Sequence, residues 1–178
     1  MQPPINQYIR KEAITNGICN VIFNGIIAFF LLKDAGPLPW FGENSFVLDI
    51  FATAFILPFI VALIVITLQK RKVRLKKLAP ISLDDTDVYE RILNRFPSSM
   101  FLCSIIFGMI GLLFFAPATL FLIFLLGIEG FSPINYSIFK GIWAGIIAAS
   151  LVGPMIIVGL KPTPKILWEK SKKDASNG

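Results

Sequence analysis

Three asparagines recur at four-residue intervals inside the first apolar stretch of the chain: Asn16, Asn20 and Asn24. On a helix this spacing places all three side chains on one face. Each amide group needs hydrogen-bond partners that lipid tails do not offer. We therefore expect this face to point into a helix bundle, toward another subunit or toward a water-filled path. Hydrogen bonding between helices and the lining of a solute or ion path both remain open from sequence alone.

Two opposite charges fall inside apolar stretches, Asp49 near the start of the second and Lys140 near the start of the fourth. An ionised side chain at the bilayer centre costs roughly 2.5 to 3.5 kcal/mol on insertion scales. Their matching depth predicts an ion pair that would neutralise both, although Lys140 is also long enough to reach the headgroups alone. Thr53 lies one turn after Asp49 on the same face. Asp49 is the strongest candidate for a functional residue.

The residue types that carry most enzymatic and metal chemistry are scarce in this sequence. It contains no His, and its two Cys, Cys19 and Cys103, lie in separate apolar stretches. A single intramembrane carboxylate does not make an acid–base pair. We therefore expect no metal, no cofactor and no enzymatic activity.

Four apolar stretches are long enough to span a bilayer, which requires about 20 residues. With 55% hydrophobic residues, the 178-residue chain has more apolar surface than a soluble domain of this size can bury. The sequence predicts an all-α integral membrane protein, with four transmembrane helices in two helical hairpins forming a single domain over residues 1–178. The predicted spans are residues 13–32, 46–68, 100–126 and 136–160.

The distribution of basic residues predicts the orientation. Of the seventeen Lys and Arg, all except Lys33 and Lys140 lie in the N-terminal segment, the middle loop or the C-terminal tail. Because basic loops stay in the cytoplasm, we expect both termini and the middle loop on the cytoplasmic side of a multi-pass protein of a bacterial inner membrane.

The basic middle loop, residues 69–99, contains an amphipathic pattern. Asp87 and Glu90 have capping-box spacing, and residues 83–96 are predicted to form a short helix that ends at Pro97. We interpret it as an interfacial helix on the inner leaflet, with a docking surface for a partner as the alternative. The basic residues around it are expected to contact anionic lipid headgroups, which explains the net charge of +6 without nucleic acid as a partner.

Small residues recur every four positions along the fourth span: Gly141, Gly145, Ala149 and Gly153. Such a stripe lets another helix backbone come close, either within one bundle or between subunits. A shorter stripe, Ser104, Gly108 and Gly111, follows the third span. Both are predicted to be helix-packing surfaces.

Two functions fit these features. The first is a transport or channel component for a small solute or an ion, acting as an oligomer through its polar intramembrane face. The alternative is an accessory or assembly subunit of a larger membrane complex, without transport activity of its own.

Overall fold

The computed structural model describes residues 4–42, 44–81 and 87–162. The first part of the predicted amphipathic helix, residues 83–86, and the basic tail beyond residue 162 lie outside the described residues. The described chain is predominantly helical. In chain order its elements are α1 (Ile5–Leu32), β1 (Leu38–Pro39), α2 (Phe46–Arg74), α3 (Val88–Asn94), α4 (Met100–Ile110), a π-helical segment (Gly111–Phe115), α5 (Ala116–Leu125), β2 (Gly130–Phe131) and α6 (Pro133–Leu160).

Four helical segments are long and apolar enough to cross a membrane: α1, α2, the continuous run from α4 to α5, and α6. This agrees with the four predicted spans. The helices α1, α2 and α6 are 28, 29 and 28 residues long. These helices extend beyond the apolar stretches because backbone hydrogen bonding continues past the hydrophobic residues. As a result α1 starts at Ile5 rather than at residue 13, and α2 ends at Arg74 rather than at residue 68.

The third span contains a local change of helix type. Proline has no amide hydrogen, so Pro117 cannot donate to the carbonyl of Leu113. The chain adopts one π turn, Gly111–Phe115, just before this proline. Such π-bulges are a common way for a helix to absorb an interruption of its hydrogen-bond ladder. Gly111 packs against the carbonyl of Ala54 on the neighbouring helix α2. In a regular helix this carbonyl would accept a hydrogen bond from residue 58, but Pro58 has no amide hydrogen to donate. A single methyl group on Gly111 would come within 1.9 Å of that oxygen.

The helix α6 is the most buried of the four spans. Both α1 and α2 pack along it, and α4 packs on α2. The principal neighbour of α1 is therefore α6 and not α2, which follows it in the chain. The predicted pairing of the spans into two hairpins is not confirmed by this packing.

The small-residue stripe of α6 packs on α1 within the same chain. The Cα of Gly141 faces the backbone of Val21 and Gly25, and Gly145 faces Gly17. A Cβ atom built on Gly141 would lie 2.7 Å from the carbonyl oxygen of Val21, closer than atoms can pack. Ala149 also belongs to this contact, because its Cβ lies 3.2 Å from a Cβ atom built on Gly17. The close approach of the two backbones explains why small residues recur here.

The loops at one end of the bundle are joined by a two-stranded antiparallel sheet. In it Leu38 pairs with Phe131 and Pro39 with Gly130. The indole of Trp40 adds a hydrogen bond of 2.8 Å to the carbonyl of Ile128. Because β1 follows α1 and β2 follows α5, the two loops lie on the same side of the bundle. We call this side of the molecule the sheet end.

Helix α3 lies in the middle loop. It spans Val88–Asn94, whereas the sequence predicted a helix over residues 83–96, and Asp87 caps it by accepting a hydrogen bond from the amide of Tyr89. Leu93 is buried against the bundle, whereas Val88 and Ile92 are exposed. The ammonium of Lys161 donates to the carbonyls of Leu93, Asn94 and Phe96 at the end of this helix. The location of α3 at a membrane interface stays a prediction.

Candidate functional site

A groove of about 410 Å³ separates α1 from α2. Both helices rest on α6, and the groove lies between them. Its lining includes five of the six polar residues singled out from the sequence: Asn16, Asn20, Asn24, Asp49 and Thr53. The sixth, Lys140, contacts Asp49 from α6. The structure thus brings all six together in one region.

The α1 wall of the groove carries three amides along its length, with Phe23 as its apolar residue. The side-chain amide nitrogens of Asn16, Asn20 and Asn24 each donate to the backbone carbonyl four residues earlier, at 2.9, 2.8 and 3.2 Å. These hydrogen bonds stay within α1, so among the described residues these amide nitrogens do not form the hydrogen bonds between helices that were one of the two expectations. With a rise of about 1.5 Å per residue, the three side chains cover about 12 Å of the groove.

The α2 wall is polar only toward the sheet end. There Asp49 and Thr53 line the groove, and further along α2 the lining residues are apolar: Ile56, Leu57, Ile60, Val61 and Ile64. Because α1 and α2 are antiparallel neighbours, Asn24 lies closest in depth to Thr53 and Asn16 lies opposite the isoleucines. The groove is therefore lined by amides on one side and by branched hydrocarbon on the other.

The carboxylate of Asp49 is the centre of a charged cluster at the sheet end. The ammonium of Lys140 lies 2.7 Å from it, and the hydroxyl of Tyr136 donates a hydrogen bond of 2.5 Å. The side chain of Lys140 is 12% exposed, whereas that of Asp49 is 37% exposed. The lysine is thus sheltered on α6, while the carboxylate keeps an open side that lines the groove.

Sequence reasoning did not identify Tyr136. It was assigned only as the first residue of the fourth span. Its position four residues before Lys140 puts both side chains on one face of α6, and this spacing was the signal available. The ring of Tyr136 is buried in an aromatic cluster with Phe46 and Phe131, with centroid distances of 6.3 and 5.5 Å. Packing in this cluster fixes the hydroxyl beside Asp49.

A second polar cluster joins α1 to α2 beyond the opposite end of the groove. The hydroxyl of Tyr8 donates to the side-chain oxygen of Gln69 at 2.9 Å. The ammonium of Lys72 donates to the same hydroxyl at 2.6 Å and lies 3.3 Å from the carboxylate of Glu12. Gln69 is buried. The groove is therefore bounded at this end, which we call the Lys72 end, by hydrogen bonds between its two walls.

The residues of the Lys72 end extend the asparagine pattern. Tyr8, Glu12 and Asn16 follow one another at the same four-residue spacing. Sequence reasoning stopped at Asn16 because Glu12 and Tyr8 precede the apolar stretch. The carbonyl of Glu12 accepts the hydrogen bond from the Asn16 amide, so the two groups are directly connected.

Searches of protein-family models, of curated proteins and of solved structures found no match for this chain.

Proposed function

We propose that this protein is a non-enzymatic transport or channel component, and that the groove between α1 and α2 is its path for a small solute or ion. The observation that carries the proposal is a polar wall of three amides, with a carboxylate at one end, along a groove of about 410 Å³. The groove lies between two of the four helices that are long and apolar enough to cross a membrane.

The asparagines give an energetic reason for the groove to hold water. Each side-chain amide has two N–H donors and an oxygen with two lone pairs, and the hydrogen bonds that the three asparagines make within α1 do not use all of them. Exposing the remainder to lipid tails would be costly, because hydrocarbon forms no hydrogen bonds. A groove of this volume holds several water molecules, which would satisfy these groups. A hydrated groove is the arrangement that a solute path requires.

The contacts at the two ends suggest how the path is controlled. Toward the sheet end, the carboxylate of Asp49 lines the groove. At the Lys72 end, the contacts of Tyr8 with Gln69 and of Lys72 with Glu12 hold α1 and α2 together. We propose that a solute enters near Asp49 and that these contacts must separate before it leaves at the other end.

We further propose that the open side of the groove is covered by a second copy of the chain, in an oligomer. Its basic segments would contact anionic headgroups on the cytoplasmic side of a bacterial inner membrane, with both termini in the cytoplasm. The mass of the protein in nanodiscs, measured by native mass spectrometry, tests the oligomer. A monomeric mass would contradict it.

The path itself is tested by chemical labelling from water. Cys19 and Cys103 are first replaced by alanine, and single cysteines are then introduced at Asn16, Asn20 or Asn24. Matched controls carry a cysteine at Ile18, Ile22 or Ile26, which lie at similar depths on exposed positions of α1. A charged, membrane-impermeant methanethiosulfonate reagent is applied to proteoliposomes.

We expect the asparagine positions to react and the isoleucine positions to remain unmodified, because only a hydrated surface admits a charged reagent. If neither set reacts, the asparagine face is covered by lipid or protein. That result would contradict the path and favour an accessory subunit.

A further inference from the structure

We infer that the ligand of the groove is a small primary alkylammonium ion, with its ammonium at Asp49 and its hydrocarbon part along the isoleucines of α2. This inference rests on the proposed function, since it names the substrate class of the same groove. It follows from three features: which polar groups face the groove, how the two walls differ, and how Lys140 is placed.

The polar groups of the groove include several hydrogen-bond acceptors and one carboxylate. The side-chain nitrogen of each asparagine already donates to a carbonyl of α1, and that of Asn24 also donates to the side-chain oxygen of Asn20. The side-chain oxygens and the carboxylate of Asp49 can accept hydrogen bonds, and none of the twelve described lining residues is Lys or Arg. A groove that offers these acceptors and a carboxylate, with no Lys or Arg among its described lining residues, favours a ligand that donates hydrogen bonds and carries positive charge.

The difference between the walls indicates that the ligand has a hydrocarbon part. A bare alkali ion is held best when oxygen atoms replace its hydration shell on all sides. Here oxygens line α1, whereas Ile56, Ile60 and Ile64 line much of α2. An alkyl chain would bury apolar surface against these isoleucines, at about 25 cal/mol per Å². The volume of about 410 Å³ lies within the usual range for small-molecule sites.

The ammonium of Lys140 lies 2.7 Å from both carboxylate oxygens of Asp49, and the hydroxyl of Tyr136 donates to one of them, so a second cation would approach the part of the carboxylate that is exposed to the groove. Lys140 is sheltered and does not line the groove, whereas the carboxylate of Asp49 is partly exposed to it. The lysine and a bound ammonium would then share one carboxylate. Because like charges repel, Lys140 weakens binding, and its removal should strengthen it.

The test measures binding of n-hexylammonium to the purified full-length protein in nanodiscs by isothermal titration calorimetry, with empty nanodiscs subtracted. The comparison ligands are n-hexanol and hexanoate, which share the alkyl chain but are neutral or negative. We expect binding of the ammonium alone. Equal binding of hexanol, or no binding of the ammonium, would overturn the inference.

Two variants then test whether the ammonium of the ligand binds at Asp49. Asp49→Asn should weaken binding about tenfold or more, and Lys140→Met should strengthen it by a similar factor, because each changes one partner of a charge interaction. Asp34→Asn is the matched control, since that carboxylate is 88% exposed in the loop before β1. A purely structural role for Asp49 predicts no strengthening in Lys140→Met, so unchanged affinity there would also overturn the inference.

A second measurement keeps the inference testable if Asp49→Asn does not fold. In the cysteine-free background, hexylammonium should protect Asn24→Cys from the charged thiol reagent at least fivefold in rate, and hexanol should not. Labelling without protection would leave the path intact and exclude this ligand class. No labelling at all would exclude both the path and the ligand.

Discussion

The ammonium of Lys140 on α6 lies 2.7 Å from the carboxylate of Asp49 on α2. Asp49 lies in the first turn of α2 and Lys140 about two turns after the start of α6, both toward the end where β1 and β2 join the loops. Asp49 lines the groove and Lys140 does not. In this pair, Asp49 is therefore accessible to a solute in the groove, and Lys140 is sheltered in the helix bundle.

This pair should show strong coupling in a double-mutant cycle. Asp49→Asn and Lys140→Met should each lower the free energy of unfolding by about 1–3 kcal/mol, a value between those of exposed and buried pairs. Each single change strands one charge, so the double variant should recover part of the loss. Thermal denaturation in detergent measures all four forms. Strictly additive losses would show that the two groups do not interact.

The hydroxyl of Tyr136 should contribute to the same cluster. Tyr136→Phe removes a hydrogen bond to a charged acceptor, which is typically worth about 1.5–3 kcal/mol, while keeping the ring in its aromatic cluster. We expect a lower melting temperature, measured in the same detergent. Tyr89→Phe is the control, because Tyr89 is exposed on α3. A melting temperature equal to that of the control would mean that the hydroxyl does not stabilise Asp49.

The glycines of α6 should differ in their tolerance of a methyl group. Gly141→Ala places a Cβ 2.7 Å from the backbone oxygen of Val21, which cannot move independently of α1. Gly153→Ala places it 3.4 Å from a side-chain methyl of Ile9, an ordinary contact. We expect Gly141→Ala to lower thermal stability and Gly153→Ala to leave it nearly unchanged. Similar melting temperatures for the two variants would contradict the close α1–α6 contact.

The proposed orientation is open to a direct test. Reporter tags at Met1, in the middle loop and at Gly178 should lie in the cytoplasm, and a tag near Gly42 should lie on the other side, because basic segments are retained in the cytoplasm. Protease protection in spheroplasts distinguishes the two sides. If the tag near Gly42 is found in the cytoplasm while Lys33 is unchanged, the proposed orientation is wrong.

Features that depend on one helix at a time were predictable from the sequence. The four apolar stretches determine where membrane helices form, and the spacing of Asn16, Asn20 and Asn24 places them on one face. Matching depth in two spans was also enough to suggest that Asp49 and Lys140 could meet. These inferences use only helix geometry and the cost of polar groups in hydrocarbon.

Apart from the Asp49–Lys140 contact, features that depend on which helices are neighbours were not predictable. Nothing in the stripe of Gly141 and Gly145 shows that its partner is α1 of the same chain rather than another subunit. The contacts of Tyr8 and Glu12 with α2 likewise require the relative placement of α1 and α2. Tyr136 was missed because a tyrosine at a helix start is also typical of a membrane interface.

The most direct test of the proposed path asks what surrounds Asn20 in a lipid bilayer. A nitroxide spin label is attached to Asn20→Cys in the cysteine-free background, and an identical label at Ile22 is the exposed control. Power-saturation electron paramagnetic resonance then compares collisions with a water-soluble nickel complex and with oxygen, which concentrates in lipid. We predict that the label at position 20 collides mainly with the nickel complex and the label at position 22 mainly with oxygen. If the label at position 20 collides mainly with oxygen, or with neither, the groove is not a water-filled path.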